Sequence, residues 1–97
     1  MRHEIVLAAQ AVDDFRQLSA RDRSTIRDAL ERHLRYEPGK KTRSSIKRTR
    51  GTIRSQYRLR VGDCRVFHDV VEGAVEILAI VPKDQADVWL RDIGGQR

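Results

Sequence analysis

Three arginines in the second half of the sequence have a spacing that could bind phosphate. They stand in the stretch YRLRVGDCRVFHDV, residues 57–70, where Arg58 and Arg60 alternate with apolar residues and Arg65 follows a Gly-Asp pair. A guanidinium group is a planar fork of hydrogen-bond donors that matches phosphate oxygens. Side chains alternate between the two faces of a strand. A hairpin that turns at Gly62-Asp63 would therefore bring all three arginines to one face.

A block of positive charge surrounds these arginines. The chain has 20 Lys and Arg against 14 Asp and Glu, which gives a net charge of +6 and a pI of about 10.2. Between Pro38 and Gly62 there is no acidic residue. This pattern predicts a polyanionic partner such as nucleic acid or an acidic protein segment, and a solvated basic loop is the alternative. Besides the three arginines, the candidate RNA contacts in this block are Lys40, Lys41, Arg43, Lys47, Arg48, Arg50 and Arg54.

Hydrophobic periodicity predicts the elements that must position these residues. HEIVLAA, residues 3–9, is typical of a short strand. A first amphipathic helix follows, and Ser19 with Asp22 predicts the start of a second helix that ends before Pro38-Gly39. The apolar positions are Val12, Phe15 and Leu18 in the first helix and Ile26, Ala29, Leu30, His33 and Leu34 in the second. The two helices form a hairpin with one apolar side, which needs a sheet to cover.

The sheet is predicted from residue 46 onward. IKRTRG is a ragged strand or part of a loop, IRSQYRLRV and CRVFHDVV form an antiparallel hairpin, and AVEILAIV is apolar on both faces, as a central strand would be. After Pro82, a short C-terminal helix directs Val88, Trp89 and Ile93 inward. We therefore predict a single domain over residues 1–97 in the α+β class. It has a small, mostly antiparallel sheet, a two-helix N-terminal hairpin on one face and a short C-terminal helix, in the order β-α-α-β-β-β-α.

Several other classes of protein are excluded by the composition. No apolar run approaches the ~18 residues of a membrane-spanning helix, and the first ten residues lack the features of a signal peptide. Cys64 is the one cysteine, so no internal disulfide can form and a cytoplasmic location is expected. No group of Cys and His has metal-ligand spacing, so we predict no metal and no other cofactor.

The run Tyr-Arg-x-Arg-x-Gly-Asp-x-Arg-Val, the VEILAIV that follows it and the order of elements resemble the RelE/ParE superfamily of bacterial toxins from type II toxin–antitoxin systems. The resemblance covers nearly the whole chain. It implies a small sheet with two N-terminal helices on one face, and a cognate antitoxin, acidic and with a flexible segment, as the partner. RelE-like members cleave messenger RNA within the ribosome, whereas ParE-like members poison DNA gyrase.

RelE-like cleavage without a metal has chemical requirements that can be compared with this sequence. The 2′-hydroxyl of the RNA is the nucleophile, and the reaction needs a base, an acid and positive charge on the phosphate. The resemblance places Arg58 and Arg60 on the basic strand of the family. It matches Arg65 to the recurrent arginine that binds the scissile phosphate, and Lys83 to a basic residue that opens the C-terminal segment.

Trp89 and His68 are the aromatic side chains to consider as the catalytic base. Trp89 stands where active members of the family often have tyrosine, and an indole cannot act as a base, although it could stack on a nucleobase in RNA or else belong to the core. His68 is the obvious candidate base, because an imidazole ordinarily changes its charge near neutral pH. Strand alternation, however, places His68 with Val66 and Val70, away from the arginines, which favours a buried, hydrogen-bonded histidine.

Together these features predict an mRNA interferase, a RelE-like endoribonuclease that cleaves ribosome-bound mRNA and inhibits translation. One alternative is a ParE-like toxin that inhibits gyrase and cleaves nothing. Another is an inactive protein with a toxin fold that binds antitoxin or nucleic acid.

Overall fold

A computed structural model of the protein describes residues 3–35, 46–48 and 57–94, without the side chains of residues 46–48, 93 and 94. In chain order the elements are β1 (Glu4–Leu7), α1 (Ala9–Gln17), α2 (Ala20–His33), β2 (Ile46–Arg48), β3 (Tyr57–Val61), β4 (Cys64–Val71), β5 (Ala74–Pro82) and a C-terminal segment. This segment consists of a 3₁₀ turn (Lys83–Gln85), the short helix α3 (Ala86–Trp89) and a π turn (Leu90–Gly94). The α+β class is confirmed, and β2 lies in the stretch left open between strand and loop.

The five strands form one mixed sheet in the order β1-β5-β4-β3-β2. β1 is parallel to β5, and the other neighbours are antiparallel, as predicted. β5 lies between β1 and β4, which explains why it is apolar on both faces. The β3–β4 and β4–β5 hairpins turn at Gly62 and Gly73, whose φ angles of 55° and 73° suit a residue without a Cβ. Within the described ranges, no helix is long and apolar enough to cross a membrane.

The helical hairpin packs on one face of the sheet, which we call the helix face. Ser19 Oγ accepts a hydrogen bond of 3.1 Å from the backbone N–H of Asp22, so the predicted start of α2 is confirmed. In α1 the fully buried residue is Ala11, and Val12 is only partly buried. The buried core on this face comprises Ala11, Ile26, Leu30, Leu34, Leu59, Val66, Val75, Ile77 and Ile80.

A second apolar cluster lies on the opposite face of the sheet, beneath the C-terminal segment. It comprises Phe67, Leu78, Ala79, Val81, Ala86 and Trp89, with Leu90 packed against it. The prediction that Val88 points inward is wrong, because its side chain is 47% exposed. The segment changes from a 3₁₀ turn to an α turn and then to a π turn, so a constant helical period does not hold along it.

A β-bulge in β5 explains how that strand serves both clusters. Phe67 of β4 is aligned with Ala79, but the next residue, His68, is aligned with Ile77, so Leu78 has no partner on β4. The extra residue reverses the alternation of side chains beyond it. As a result, Ile77 and Ile80 both face the helices, although they are three residues apart.

Beyond the end of β1, helix α1 lies along the edge of β5. The pairing of β1 ends at Leu7 and Ile77, so the backbone groups farther along β5 have no strand on that side. Asp14 Oδ2 accepts a 2.9 Å hydrogen bond from the backbone N–H of Ile80. Gln10 Oε1 accepts one of 3.1 Å from the indole Nε1–H of Trp89. One helix therefore holds both the central strand and the C-terminal segment.

We expect Asp14→Ala to lower the free energy of unfolding by about 1–3 kcal/mol, because it leaves a buried backbone N–H at Ile80 without its acceptor. Asp14→Asn keeps a carbonyl acceptor and should cost less. Urea unfolding of both variants measures the effect, with Asp13→Ala as the control because Asp13 is an exposed neighbour on the same helix. Equal losses in Asp14→Ala and Asp13→Ala would contradict this role for the hydrogen bond.

Candidate nucleic-acid interface

The register of the β3–β4 hairpin brings the three arginines together. Arg60 is aligned with Arg65, and Arg58 is aligned with Phe67. The intervening pair, Leu59 and Val66, lies in the core on the helix face. Alternation therefore places Arg58, Arg60 and Arg65 on the opposite side, which we call the arginine face. Diagonal neighbours on such a pair of strands lie about 7–8 Å apart, so two arginines can reach one phosphate group.

Arg60 and Arg65 face each other without a counterion from the described part of the chain. The side chain of Arg60 is exposed. The Nη1 of Arg65 donates to the backbone carbonyls of Gly62 at 3.1 Å and of Cys64 at 2.9 Å, which holds the guanidinium group beside the hairpin turn. No carboxylate among the described residues forms an ion pair with either arginine. Like charges on opposed strand positions repel, so an external anion bound between them would relieve the repulsion.

Arg58 differs from the other two arginines because it contacts a carboxylate of its own chain. Its Nη1 lies 3.8 Å from Asp87 Oδ1, and the two side chains are 36% and 95% exposed. A contact of this length at the surface is a weak ion pair. Nothing in the strand pattern of the sequence indicates that the last helix lies over the arginine face, so this contact was not predicted.

The arginine face is partly covered by the C-terminal segment. The ring of Trp89 stacks on Phe67 with 4.5 Å between ring centroids and 23° between ring planes. Trp89 is only 9% exposed, and Gln10 accepts its indole N–H. Burial of apolar Phe67 requires such a cover. Trp89 is therefore a core residue in this structure, so the prediction that it points inward is confirmed and the alternative, a ring that stacks on a nucleobase, does not fit its burial.

Lys83 lies at the turn of the arginine hairpin. Its backbone N–H donates to the carbonyl of Asp63 at 2.7 Å, and its Nζ lies 3.6 Å from Asp63 Oδ1. Both side chains are mostly exposed, at 62% for Lys83 and 92% for Asp63. Such exposed pairs are weak, so the ammonium group of Lys83 is able to exchange Asp63 for a phosphate.

The opposite end of the same face is acidic. Asp69 follows Phe67 by two residues on β4 and is aligned with Glu76 of β5. Two carboxylates at opposed positions disfavour a polyanion there. Positive charge on this face is thus confined to the half nearer the Gly62-Asp63 turn, among the residues that the structure describes.

The remaining basic candidates are only partly within the described residues. In β2, Lys47 is aligned with Arg58 and Arg48 with Tyr57, so the register places Lys47 beside the arginine row. The predicted RNA contacts that lie outside the described residues are Lys40, Lys41, Arg43, Arg50 and Arg54.

His68 is fully buried and belongs to the helix side of β4. Its ring stacks on Tyr57 with 5.6 Å between centroids, and Nδ1 lies 3.5 Å from the carbonyl oxygen of Val66. The interpretation of His68 as a buried, hydrogen-bonded histidine is confirmed. It does not reach the arginine face and therefore cannot exchange protons with a ligand bound there.

Cys64 lies in a groove of about 330 Å³ between the start of α2 and the hairpin turn, with Asp22 and Asp63 in its lining. Burial raises the pKa of the Cys64 thiol. The negative charges of Asp22 and Asp63 raise it further, while Arg65 opposes them. Because the thiolate is the reactive form, this environment makes Cys64 a slow nucleophile at neutral pH. No group of His, Cys, Asp and Glu in the described residues could hold a metal ion.

Alkylation of Cys64 tests this environment. The pH at which iodoacetamide reacts at half its maximal rate should be higher in the folded protein than in the protein unfolded by urea, because burial and the two acids favour the neutral thiol. Asp63→Asn should lower that pH in the folded state, and Asp13→Asn should not. A folded-state midpoint at or below the unfolded one would contradict the assignment.

Comparison with known proteins identifies the fold. No family model and no curated protein matches the sequence. Among solved structures, a chain of the archaeal RelE–RelB complex from Pyrococcus horikoshii OT3 matches with a TM-score of 0.63 and 27% identity, over 86% of this chain and 97% of that one. The RelB–RelE antitoxin–toxin complex of Methanococcus jannaschii matches with a TM-score of 0.66 and 19% identity, over 87% and 96%. The protein has the RelE toxin fold.

A third solved structure also matches the fold of this chain. The YoeB dimer of Staphylococcus aureus matches with a TM-score of 0.63 and 15% identity, over 84% of this chain and 97% of that one. In all three comparisons the match covers almost the whole of the other protein's chain. The resemblance to this superfamily, which the arginine-rich hairpin and the order of elements indicated, is confirmed.

Proposed function

We propose that the protein is the toxin of a type II toxin–antitoxin system and a RelE-like endoribonuclease. It cleaves ribosome-bound mRNA without a metal and so inhibits translation in the cytoplasm. The observation that carries this proposal is the alignment of Arg60 with Arg65 on a RelE fold, with no ion pair to a carboxylate in the described part of the chain. These two guanidinium groups, of which that of Arg65 is held by backbone carbonyls, supply the donors that a phosphate needs as negative charge builds on it.

Each basic residue of the face has a role in this proposal. Arg65, whose guanidinium is held by the carbonyls of Gly62 and Cys64, binds the scissile phosphate. Arg60 opposite it and Arg58 diagonal to it stabilise the charge of the transition state. Lys83 assists from the turn, where a neighbouring phosphate of the RNA displaces Asp63.

The distribution of charge also gives a path for the RNA. The backbone crosses β3 and β4 near the Gly62-Asp63 turn, because Arg60 and Arg65 are aligned there. Lys47, which is aligned with Arg58 on β2, adds a basic residue beside this path. Each RNA phosphate that a basic side chain neutralises adds to the affinity, and this contribution falls as the salt concentration rises.

The partner proposed for the resting state is a cognate antitoxin with an acidic, flexible segment. Two of the matched structures are complexes of RelE with RelB, an antitoxin. An acidic segment would supply the carboxylates that Arg60 and Arg65 lack in the described chain, and it would compete with RNA for the same guanidinium groups. The ribosome and mRNA are the partners when the antitoxin is absent.

The test is to add the purified protein to translating ribosomes and to map new mRNA ends, with a DNA gyrase supercoiling assay in parallel. We expect cleavage of ribosome-bound mRNA and normal supercoiling. Intact mRNA with inhibited supercoiling would favour a ParE-like toxin instead. No effect in either assay would leave a toxin-fold protein that only binds, and either result would overturn the proposed nuclease.

A further inference from the structure

The half of the arginine face nearer the Gly62-Asp63 turn contains little that can move protons, and the carboxylates of Asp69 and Glu76 lie at its other end. A guanidinium group keeps its proton throughout the physiological pH range, so an arginine is a poor general base. His68 is buried on the other side of the sheet. Among the described residues, the carboxylate that contacts an arginine of this face is Asp87, with Oδ1 3.8 Å from Nη1 of Arg58.

Buried neighbours fix the position of Asp87. It lies in α3 between Ala86 and Trp89, which are 4% and 9% exposed and belong to the cluster under the C-terminal segment. Trp89 stacks on Phe67, and Phe67 is aligned with Arg58 across the strands. The same packing that anchors α3 therefore sets the carboxylate next to Arg58, while the Asp87 side chain itself is 95% exposed and open to a ligand.

We propose that Asp87 is the general base of the RNA cleavage reaction, and this inference rests on the function proposed above. In a reactive geometry the 2′-oxygen lies about 3–3.5 Å from the phosphorus, and the base must come within about 2.6–3.2 Å of that oxygen. A carboxylate in contact with a guanidinium group that binds the phosphate meets the second requirement after a small rotation of its side chain. Phosphate oxygens then take its place on Arg58.

The chemical step is balanced as follows. Asp87 takes the proton of the 2′-hydroxyl, and the 2′-oxygen forms a new bond to phosphorus with its freed electron pair. The bond from phosphorus to the 5′-oxygen breaks, its electron pair stays on that oxygen, and water supplies a proton to it. The hydroxide left behind takes the proton from Asp87. The products are a 2′,3′-cyclic phosphate and a 5′-hydroxyl, and the enzyme is unchanged.

Other titratable groups near the face fit the role less well. Lys83 carries an ammonium group, which donates protons and does not accept them while charged. Asp63 lies at the turn and contacts Lys83, and it has no ion pair with an arginine of the face. The thiol of Cys64 has a raised pKa and lies in a groove lined by α2 and the hairpin turn. Asp84 is exposed on the same C-terminal segment but forms no ion pair with a described residue, which makes it a matched control.

The test compares Asp87→Asn with Asp84→Asn. Single-turnover cleavage of ribosome-bound mRNA gives the rate, and fluorescence anisotropy with a labelled single-stranded RNA gives the affinity. We expect Asp87→Asn to slow cleavage by about 100-fold or more, with RNA affinity unchanged or tighter, because a negative charge beside Arg58 is removed. In the wild type the cleavage rate should rise with pH in the acidic range, and this rise should be lost in Asp87→Asn. Asp87→Glu should restore part of the rate. Asp84→Asn should resemble the wild type.

Three results would overturn the inference. Cleavage by Asp87→Asn at the wild-type rate, or faster, would show that the carboxylate takes no proton. Equal losses of RNA affinity and unfolding stability in Asp87→Asn and Asp87→Glu would show a structural role. If the wild-type protein itself cleaves no RNA, both the proposed function and this inference fail. If the wild type cleaves RNA and Asp87→Asn cleaves it equally fast, only this inference fails.

Discussion

Arg65→Ala should abolish growth inhibition when the protein is expressed without an antitoxin, and it should slow mRNA cleavage by about 100-fold or more. The reason is the position of its guanidinium group, which two backbone carbonyls hold beside the hairpin turn and directly opposite Arg60. Alanine removes the fixed charge from the place where the scissile phosphate binds. Arg65→Lys keeps the charge but loses the fork of donors, so we expect an intermediate rate.

The control for Arg65→Ala is Arg32→Ala, which removes the same charge from the exposed surface of α2. Arg32→Ala should leave both growth inhibition and cleavage unchanged. Circular dichroism and urea unfolding should show that both variants are folded. Wild-type toxicity in folded Arg65→Ala would contradict the assignment of the phosphate site.

Trp89→Ala should lower the free energy of unfolding by about 3–5 kcal/mol, the range for removal of a large aromatic side chain from a core. Trp89 is 9% exposed, stacks on Phe67 and donates its indole N–H to Gln10. Small domains are stable by only about 5–15 kcal/mol, so this variant would be close to unfolding. Urea unfolding followed by circular dichroism measures the loss.

Trp89→Phe separates packing from the hydrogen bond. It keeps an aromatic ring against Phe67 but gives no donor to Gln10, so we expect a smaller loss of stability than for alanine. A tryptophan that stacks on RNA instead would behave differently. Unchanged stability in Trp89→Ala together with weaker RNA binding would contradict the core assignment.

The arginine face could be predicted from the sequence because strand alternation is a strictly local rule. The period of two residues, together with the tight turn at Gly62-Asp63, was enough to bring Arg58, Arg60 and Arg65 to one side. The same rule placed His68 on the buried side. The capping pair of Ser19 and Asp22 is equally local, and the hydrogen bond that the sequence predicted is present.

The position of the C-terminal segment over the arginine face could not be predicted, because a short and irregular segment has no regular pattern that shows where it packs. The turns after Pro82 change their period within a few residues, so the inward positions are Ala86, Trp89 and Leu90, and Val88 is exposed. A clue was present, since alternation placed apolar Phe67 among the arginines, where it requires a partner. The contact between Arg58 and Asp87 follows from that docking and has no signal of its own in the sequence.

The bulge in β5 and the role of Asp14 were also beyond local rules. AVEILAIV is apolar at nearly every position, so alternation within it cannot reveal the extra residue at Leu78. Asp14 reads as an ordinary surface acid of an amphipathic helix, yet its carboxylate accepts the backbone N–H of Ile80, 66 residues away. Such contacts arise from the sheet edge that β1 leaves uncovered.

On the arginine face, Arg60 and Arg65 stand at opposed strand positions. Arg35, which lies just after α2, instead has an acidic neighbour and donates to the carboxylate of Glu31 four residues earlier. Arg60 and Arg65 have no comparable partner among the described residues. An arrangement that costs stability in the free protein is explained if an external polyanion binds there.

The salt dependence of RNA affinity tests that claim most directly. The logarithm of the affinity for a single-stranded RNA falls with the logarithm of salt concentration, with a slope of about −0.7 for each phosphate contact. We predict that the double variant Arg60→Ala/Arg65→Ala binds more weakly and has a slope shallower by about 0.7–1.4, whereas Arg32→Ala keeps the wild-type slope. Identical slopes for the wild type and the double variant would contradict a polyanion on the arginine face.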